Sequence, residues 1–282
     1  MHTNNPLELC PARVVAVTSG KGGVGKTNIV ANLAAALTLA GKRVTVVDSD
    51  LGLANLDLLL GVRPQSTLAD FFAGRRALMD IFVTSPLGIT LLPAASGVPR
   101  VTTLSREQKL LFLSELDAVP QDANVMLVDT ASGISDTVTY FVSAAHEIVL
   151  VITPEPTSLR DASALVHVLA STHGEKRFWV VANTVEDGAE ARRLLDALAR
   201  PVVQFFHVSF ELLGWIPHDV ELARAVAQQR TVIETAPDSP SARAFAALAR
   251  RLLEATTHAA RVKGGLQFFF RSVLAASLEG KR

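Results

Sequence analysis

RVVAVTSGKGGVGKT, residues 13–27, is the stretch on which the fold turns. Between Arg13 and Thr18 every position is apolar, as in a strand buried on both faces of a parallel sheet. The run breaks into Ser19-Gly20-Lys21-Gly22-Gly23-Val24-Gly25-Lys26-Thr27, and an Ala/Leu-rich helical pattern follows from Lys26 to Ala40, stopping at Gly41. Strand, glycine loop and helix in direct succession satisfy G-x-x-x-x-G-K-[ST] in the context where that spacing has chemical meaning. Glycines let backbone N–H groups curl round a phosphate chain, and the helix start adds its positive dipole end. Lys26 is placed to reach the β- and γ-phosphates and the Thr27 hydroxyl to ligate Mg²⁺. The candidate phosphate site is therefore Gly20, Lys21, Gly22, Gly23, Val24, Gly25, Lys26, Thr27 and the adjoining Asn28.

Outward from this loop, β-branched runs recur at 43–48, 124–129, 147–153 and 177–183, with longer helical patterns between them. Ser105 with Gln108, and Ser158 with Asp161, have the spacing of helix-opening capping boxes. PDSP at 237–240 predicts a turn before a last helix from Ser241 to about His258, and Lys263-Gly264-Gly265 then breaks the pattern. Alternating β and α units predict a doubly wound, mostly parallel sheet flanked by helices, with ligands beyond the carboxyl ends of the strands. Two of those ends are acidic: Asp48 and Asp50 close one, Asp129 the other, and both strands are expected to flank the loop's own strand. One carboxylate there can hold the hydration shell of Mg²⁺ and another can orient an attacking water, since phosphoryl transfer is mostly positioning and charge neutralisation.

Composition narrows the classes. The chain has 282 residues, 49% hydrophobic and 19% charged, enough to bury a large core and far from a disordered composition. Lys+Arg and Asp+Glu are 27 each, so bulk charge does not advertise a nucleic acid partner. Cys10 is the single cysteine, which excludes a disulfide framework and fits a reducing cytoplasm. No secretory leader and no run of 18 apolar residues is present.

Lys21 carries the first family resemblance. K-G-G-x-G-K-T resembles the deviant Walker A loop of the MinD/ParA superfamily of P-loop ATPases (a SIMIBI/MinD-like fold), in which this signature lysine crosses to the partner's nucleotide in a sandwich dimer. Asp48-Ser49-Asp50-Leu51-Gly52-Leu53-Ala54-Asn55-Leu56-Asp57 resembles the superfamily's first switch, and Asp129-Thr130-Ala131-Ser132-Gly133 its Walker B and second switch. The resemblance implies ATP/ADP and Mg²⁺ as ligands and an ATP-dependent homodimer. It gives Lys21, Lys26 and Asp50 catalytic roles, with Asp50 orienting water. Thr27, Asp48 and Asp129 support the metal, and Gly133 lets the switch follow the γ-phosphate. It also puts Asn183, Pro217 and Asp219 around the adenine, although such residues end strands and start helices for structural reasons alone.

Several stretches are similar to the FlhG/FleN branch, the MinD-like ATPases that set flagellar number and placement: Asp50 to Asp57, Pro93-Ala94-Ala95-Ser96-Gly97, Glu155-Pro156-Thr157-Ser158-Leu159-Arg160-Asp161-Ala162 and Gly265-Leu266-Gln267-Phe268-Phe269-Phe270. MinD itself is the second resemblance. Thr157 and Asp161 would open a helix near the dimer edge, where relatives dock effectors. Residues 1–12 contain no D-Q-A-x-x-L-R activator motif for a signal-recognition-type GTPase. The shorter start resembles the FleN type, whose partner is an AAA+ flagellar master transcription activator, and both partners stay open at this point.

The division expected is an extension over 1–12, an ATPase domain over 13–260 and a tail over 261–282. In the tail Leu266, Phe269, Phe270, Val273, Leu274 and Leu278 fall on one helical stripe, and five Lys/Arg against one Glu leave a local charge of +4. This C-terminal amphipathic helix suits the anionic surface of an inner membrane; a groove on its own domain would suit it too. The resulting expectation is a cytoplasmic ATPase, reversibly peripheral on the membrane, without sequence-specific DNA binding. A ParA-type partition ATPase needs a basic patch, and outside the tail the charges are interspersed. Iron–sulfur carriers of the superfamily need a cysteine pair, and its tyrosine kinases need a Tyr-rich tail, whereas Tyr140 stands alone. A small-molecule synthetase on the same loop leaves the tail without a purpose.

Overall fold

The computed structural model describes residues 13–51, 55–94, 104–118, 123–255 and 268. Among them the strands β1 (Arg13–Thr18), β2 (Val44–Asp48), β3 (Val83–Thr84), β4 (Thr90–Leu92), β5 (Val125–Asp129), β6 (Glu147–Ile152), β7 (Arg177–Val185) and β8 (Ser209–Pro217) form one sheet in the order β3-β4-β2-β5-β1-β6-β7-β8. Every pairing is parallel except β3 with β4. Ten α-helices lie between or after them among the described residues: α1 (Lys26–Leu39), α2 (Leu56–Leu59), α3 (Leu68–Phe72), α4 (Arg106–Ala118), α5 (Asp136–Ala144), α6 (Pro156–His173), α7 (Gly188–Phe206), α8 (Val220–Ala227), α9 (Val232–Thr235) and α10 (Pro240–Glu254).

Strand side chains alternate between two apolar layers, because successive residues point to opposite faces. Val14 and Ala16 of β1 face the layer of α3 to α7, with Phe112, Phe141, Leu165 and Leu194. Val15 and Val17 face the layer of α1, α2, α9 and α10, with Leu33, Leu56, Val232 and Phe245. Both faces being covered is what makes the strands apolar throughout. Each buried Leu, Val or Phe contributes about 1.5–3 kcal/mol, so the central strands form a rigid platform and their carboxyl ends are fixed in space.

Three expectations are corrected. β2 does not neighbour β1: β5 lies between them, and β1 has β5 and β6 at its sides. Strands buried on both faces look alike in sequence, so their order is not written in any one of them. Ser158 does not open a helix; α6 begins two residues earlier, at Pro156, whose fixed φ suits the first helical position. The Ser158 hydroxyl instead accepts the N–H of Thr153 at 3.1 Å, tying the end of β6 to the first turn of α6. The last helix runs Pro240–Glu254, with Ser239 as its cap. By contrast, Ser105 and Gln108 do exchange the two bonds of a capping box.

The tail residues Leu266, Phe269, Phe270, Val273, Leu274 and Leu278 lie outside the described residues, as do 1–12. Phe268 is described, and it is fully buried among α4 and α5: its ring is 6.5 Å from Phe112 and 6.4 Å from Phe141, and its N–H donates to the Ala144 carbonyl at 3.0 Å.

Candidate functional site

The loop after β1 enters α1 through Gly25 at φ 90°, a left-handed conformation that glycine adopts without strain. No side chain caps α1, and its first turn carries no acid. The opening N–H groups of a 14-residue helix thus face outward with no internal acceptor, which is a cradle for an anion. Asn183, at the end of β7, donates its amide to the Val24 carbonyl at 2.8 Å and braces the loop from behind; a Cβ at Gly25 would run into that amide. Gly20 meets the backbone of Asp161 and Ala162 in α6 so closely that no Cβ fits there. The loop's shape is therefore set by β7 on one side and α6 on the other. Asn28 is held by the Asn32 amide, at 2.7 Å from its side-chain oxygen and 2.9 Å from its carbonyl.

Beside this cradle the structure gathers the acids. Asp48 and Asp129 are register partners at the ends of β2 and β5, and both are buried. The Asp50 N–H donates to Asp48 Oδ1 at 3.1 Å, and the Ser49 N–H and hydroxyl both donate to the Asp129 carbonyl at 2.8 Å. Burial pushes the Asp129 carboxyl up to about 6, against the lowering effect of Lys26 and of the Thr27 hydroxyl bonded to it, while Asp50 adds to the rise. Burial, and then the charge of Asp129, hold Asp48 well above the ordinary carboxylate range. Asp129 Oδ1 is buried and has no hydrogen-bond partner in the protein. Two buried carboxylates and an orphan oxygen beside a threonine hydroxyl are a donor set for a hard divalent cation, which would relieve their repulsion. Mg²⁺ fits the residues present.

Lys21 and Gly133 link the loop to α6 and to the segment after β5. The Lys21 ammonium is paired with the Glu155 carboxylate at the start of α6. The Gly133 N–H donates to the Ser19 carbonyl at 3.0 Å, so the segment after β5 hangs directly on the phosphate loop, with Gly133 at φ 95° as its pivot. Pro217 ends β8. Asp219 caps α8 through the Glu221 N–H at 2.9 Å and accepts from the Ser241 N–H and hydroxyl at 3.0 and 2.6 Å. Its carboxylate is thus occupied in joining α8 to α10. The partnership of Glu155 with Lys21 and the bracing by Asn183 were not legible at their positions. In the sequence Asn183 is marked only as the close of a strand, and Glu155 only as the start of a family-like stretch.

The comparisons agree with this geometry. The model of the CobQ/CobB/MinD/ParA nucleotide binding domain matches residues 15–232. The antiactivator FleN of Pseudomonas aeruginosa is 43% identical over 259 residues, 92% of each chain. The flagellum site-determining protein YlxH of Helicobacter pylori is 32% identical, covering 93% of this chain and 90% of its own. Among solved structures, the septum site-determining protein MinD of Pyrococcus horikoshii complexed with Mg-ADP superposes with a TM-score of 0.72 at 25% identity, over 86% of this chain and 96% of that one.

Proposed function

The chain belongs to the MinD/ParA family of nucleotide-binding proteins, and from that premise we propose that it is an ATP-hydrolysing switch that controls flagellar number or placement through protein partners. The observation that carries this reading is the convergence of Lys26, Thr27, Asp48, Asp129 and Asp50 on the uncapped start of α1. Lys26 and the free N–H groups of α1 hold the β- and γ-phosphates of ATP. Thr27 and Asp129 hold Mg²⁺, with Asp48 behind them. The cation supplies charge neutralisation across the phosphates when bound. Asp50, on the loop just past β2, orients the attacking water. We assign Asn183 and Pro217 to the side of the base, with Asp219 supporting that side by fixing α8.

Lys21 leaves Glu155 and reaches the second subunit's nucleotide when two copies close face to face. The family relationship to MinD and FleN supports that dimer. Gly133, bonded to the loop at Ser19, transmits the presence of the γ-phosphate to α5. The tail then binds the inner membrane in the ATP state, with two copies per dimer acting together. FleN is an antiactivator, and this favours an activator protein as the partner, so that the output is held by protein contacts and not by sequence-specific DNA binding. Attachment through the tail is peripheral in this reading, because its apolar stripe is that of a helix lying in the interface; no helix among the described residues is long and apolar enough to cross a membrane.

The test is light scattering after size exclusion, with ADP and with ATP, alongside phosphate release. Wild type is expected to dimerise with ATP and to hydrolyse it slowly. Asp50→Ala keeps the ATP-dependent dimer and loses hydrolysis; Lys26→Ala loses both. A Lys26→Ala protein that still dimerised on ATP would overturn the phosphate-site assignment, and an Asp50→Ala protein unable to bind ATP would overturn the role given to Asp50.

A further inference from the structure

Asn32 is the one polar side chain of α1 between Ile29 and Leu37, and it is 1% exposed. A buried amide is costly unless its groups are bonded, and here the bonds also fix which way it points. The Val232 N–H, the first of α9, donates to Asn32 Oδ1 at 2.8 Å. A backbone N–H can only donate, so the oxygen is the atom on that side. Asn32 Nδ2 donates to the Asn28 carbonyl at 2.9 Å and to Asn28 Oδ1 at 2.7 Å. A backbone carbonyl can only accept, so the nitrogen is fixed independently. The second of these bonds settles Asn28 in turn. Facing a donor, its amide turns the oxygen to Asn32, and its two N–H groups lie on the other arm.

Helical side chains lean toward the start of their helix and cover the turn before them. Asn32 thus lies over Asn28, and Asn28 over the first turn of α1, where the unpaired N–H groups form the anion cradle. Asn28 is half-buried, whereas Asn32 and Val232 behind it are buried, so the open side of Asn28 is the side of the cradle. Phosphate oxygens accept and never donate, and the edge that suits them is the one Asn32 leaves outward. The far end of the relay is also secured. The hydroxyl and N–H of Thr231 both donate to Glu234, at 2.7 and 3.3 Å, in the box that opens α9. Asn32 then supplies the acceptor for the next N–H, that of Val232.

We infer that Asn32 is a positioning residue for nucleotide binding: anchored on the Val232 N–H, it holds the Asn28 amide with its donors toward the phosphates. Without Asn32 the Asn28 amide can turn its oxygen to the anion and repel it. The inference rests on the nucleotide site proposed above, and it makes α9 a support of that site without any contact between α9 and the ligand.

The test is calorimetric titration of the full chain with Mg-ADP, beside thermal melting without nucleotide; ADP keeps hydrolysis and ATP-driven dimerisation out of the measurement. Asn28→Ala is expected to weaken ADP binding about tenfold, the loss of a hydrogen bond to a charged group. Asn32→Leu is expected to weaken it about fivefold and to lower the melting temperature. In the Asn28→Ala background Asn32→Leu lowers melting again but leaves ADP affinity where Asn28→Ala put it, because the two residues act as one unit. Equal loss of affinity in both backgrounds would make Asn32 merely structural and overturn the inference. Should Asn32→Leu fail to fold, Asn28→Asp decides: it keeps the oxygen that Asn32 holds and puts a second oxygen where the donors were. It is expected to melt above Asn28→Ala yet bind ADP more weakly than Asn28→Ala, and binding as tight as that of Asn28→Ala would overturn the inference. Wild type binding ADP while Asn28→Ala and Asn32→Leu match it would do the same and leave the nucleotide site standing. Failure of wild type to bind ADP would overturn the site as well.

Discussion

Gly20 shows how a residue can matter for reasons its motif does not state. The motif asks for glycine so that the backbone may bend round phosphate, yet here the sharper demand comes from α6, whose backbone at Asp161 occupies the space a Cβ would need. Gly20→Ala is expected to displace the loop or α6, an overpacking cost of about 1–3 kcal/mol, and to weaken ATP binding as well. Thermal melts and nucleotide titration check this; a Gly20→Ala protein with wild-type melting and affinity would deny the close contact. The loop itself was legible because spacing and context are local properties. Asn183 and Glu155 were less so: each acts on the loop from more than 130 positions away in sequence, and their partners are set by packing.

At the scale of elements, the helices were read well where a local chemical device marks them and poorly where two devices compete. Ser105 and Gln108 form their box, but Ser158 faces a proline two residues before it, and the proline sets the start of α6. Its hydroxyl, freed from capping, joins β6 to α6 through the Thr153 N–H. Ser158 is 1% exposed, so Ser158→Ala leaves a buried donor unsatisfied at a cost of about 1–3 kcal/mol. Since α6 carries Glu155 and touches Gly20, the same change is expected to loosen ATP binding more than it lowers stability. Denaturant melts compared with ATP titration separate the two effects, and an unaltered affinity would show that the junction serves stability alone. The order of the strands was the part beyond reach. β2 and β5 both end in aspartate and both are buried throughout, and only the fold reveals that β5 takes the place beside β1. The acids nonetheless meet, because Asp48 and Asp129 share a register.

Over the whole molecule, Gly133 and Phe268 are joined by one short helix. α5 begins three residues after Gly133, which hangs on the phosphate loop, and ends at Ala144, whose carbonyl holds Phe268. Lys109 of α4 pairs with Asp136 in the first turn of α5, and Tyr140 donates its hydroxyl to the Lys109 carbonyl at 2.8 Å, so α4 and α5 are tied together by two polar contacts. Phe268 sits between them against Phe112 and Phe141. Burying such a ring contributes about 1.5–3 kcal/mol, which is the same scale as the differential affinity a ligand needs to shift a closed state appreciably. If Phe268 is the latch that keeps the tail from the membrane, Phe268→Asp removes it: the chain is expected to sediment with anionic vesicles in ADP nearly as well as in ATP. If the residue served packing alone, the same substitution would lower the melting temperature and leave vesicle binding dependent on ATP. Both quantities come from one preparation, so the latch is lost as an explanation should the ADP-bound variant stay in the supernatant.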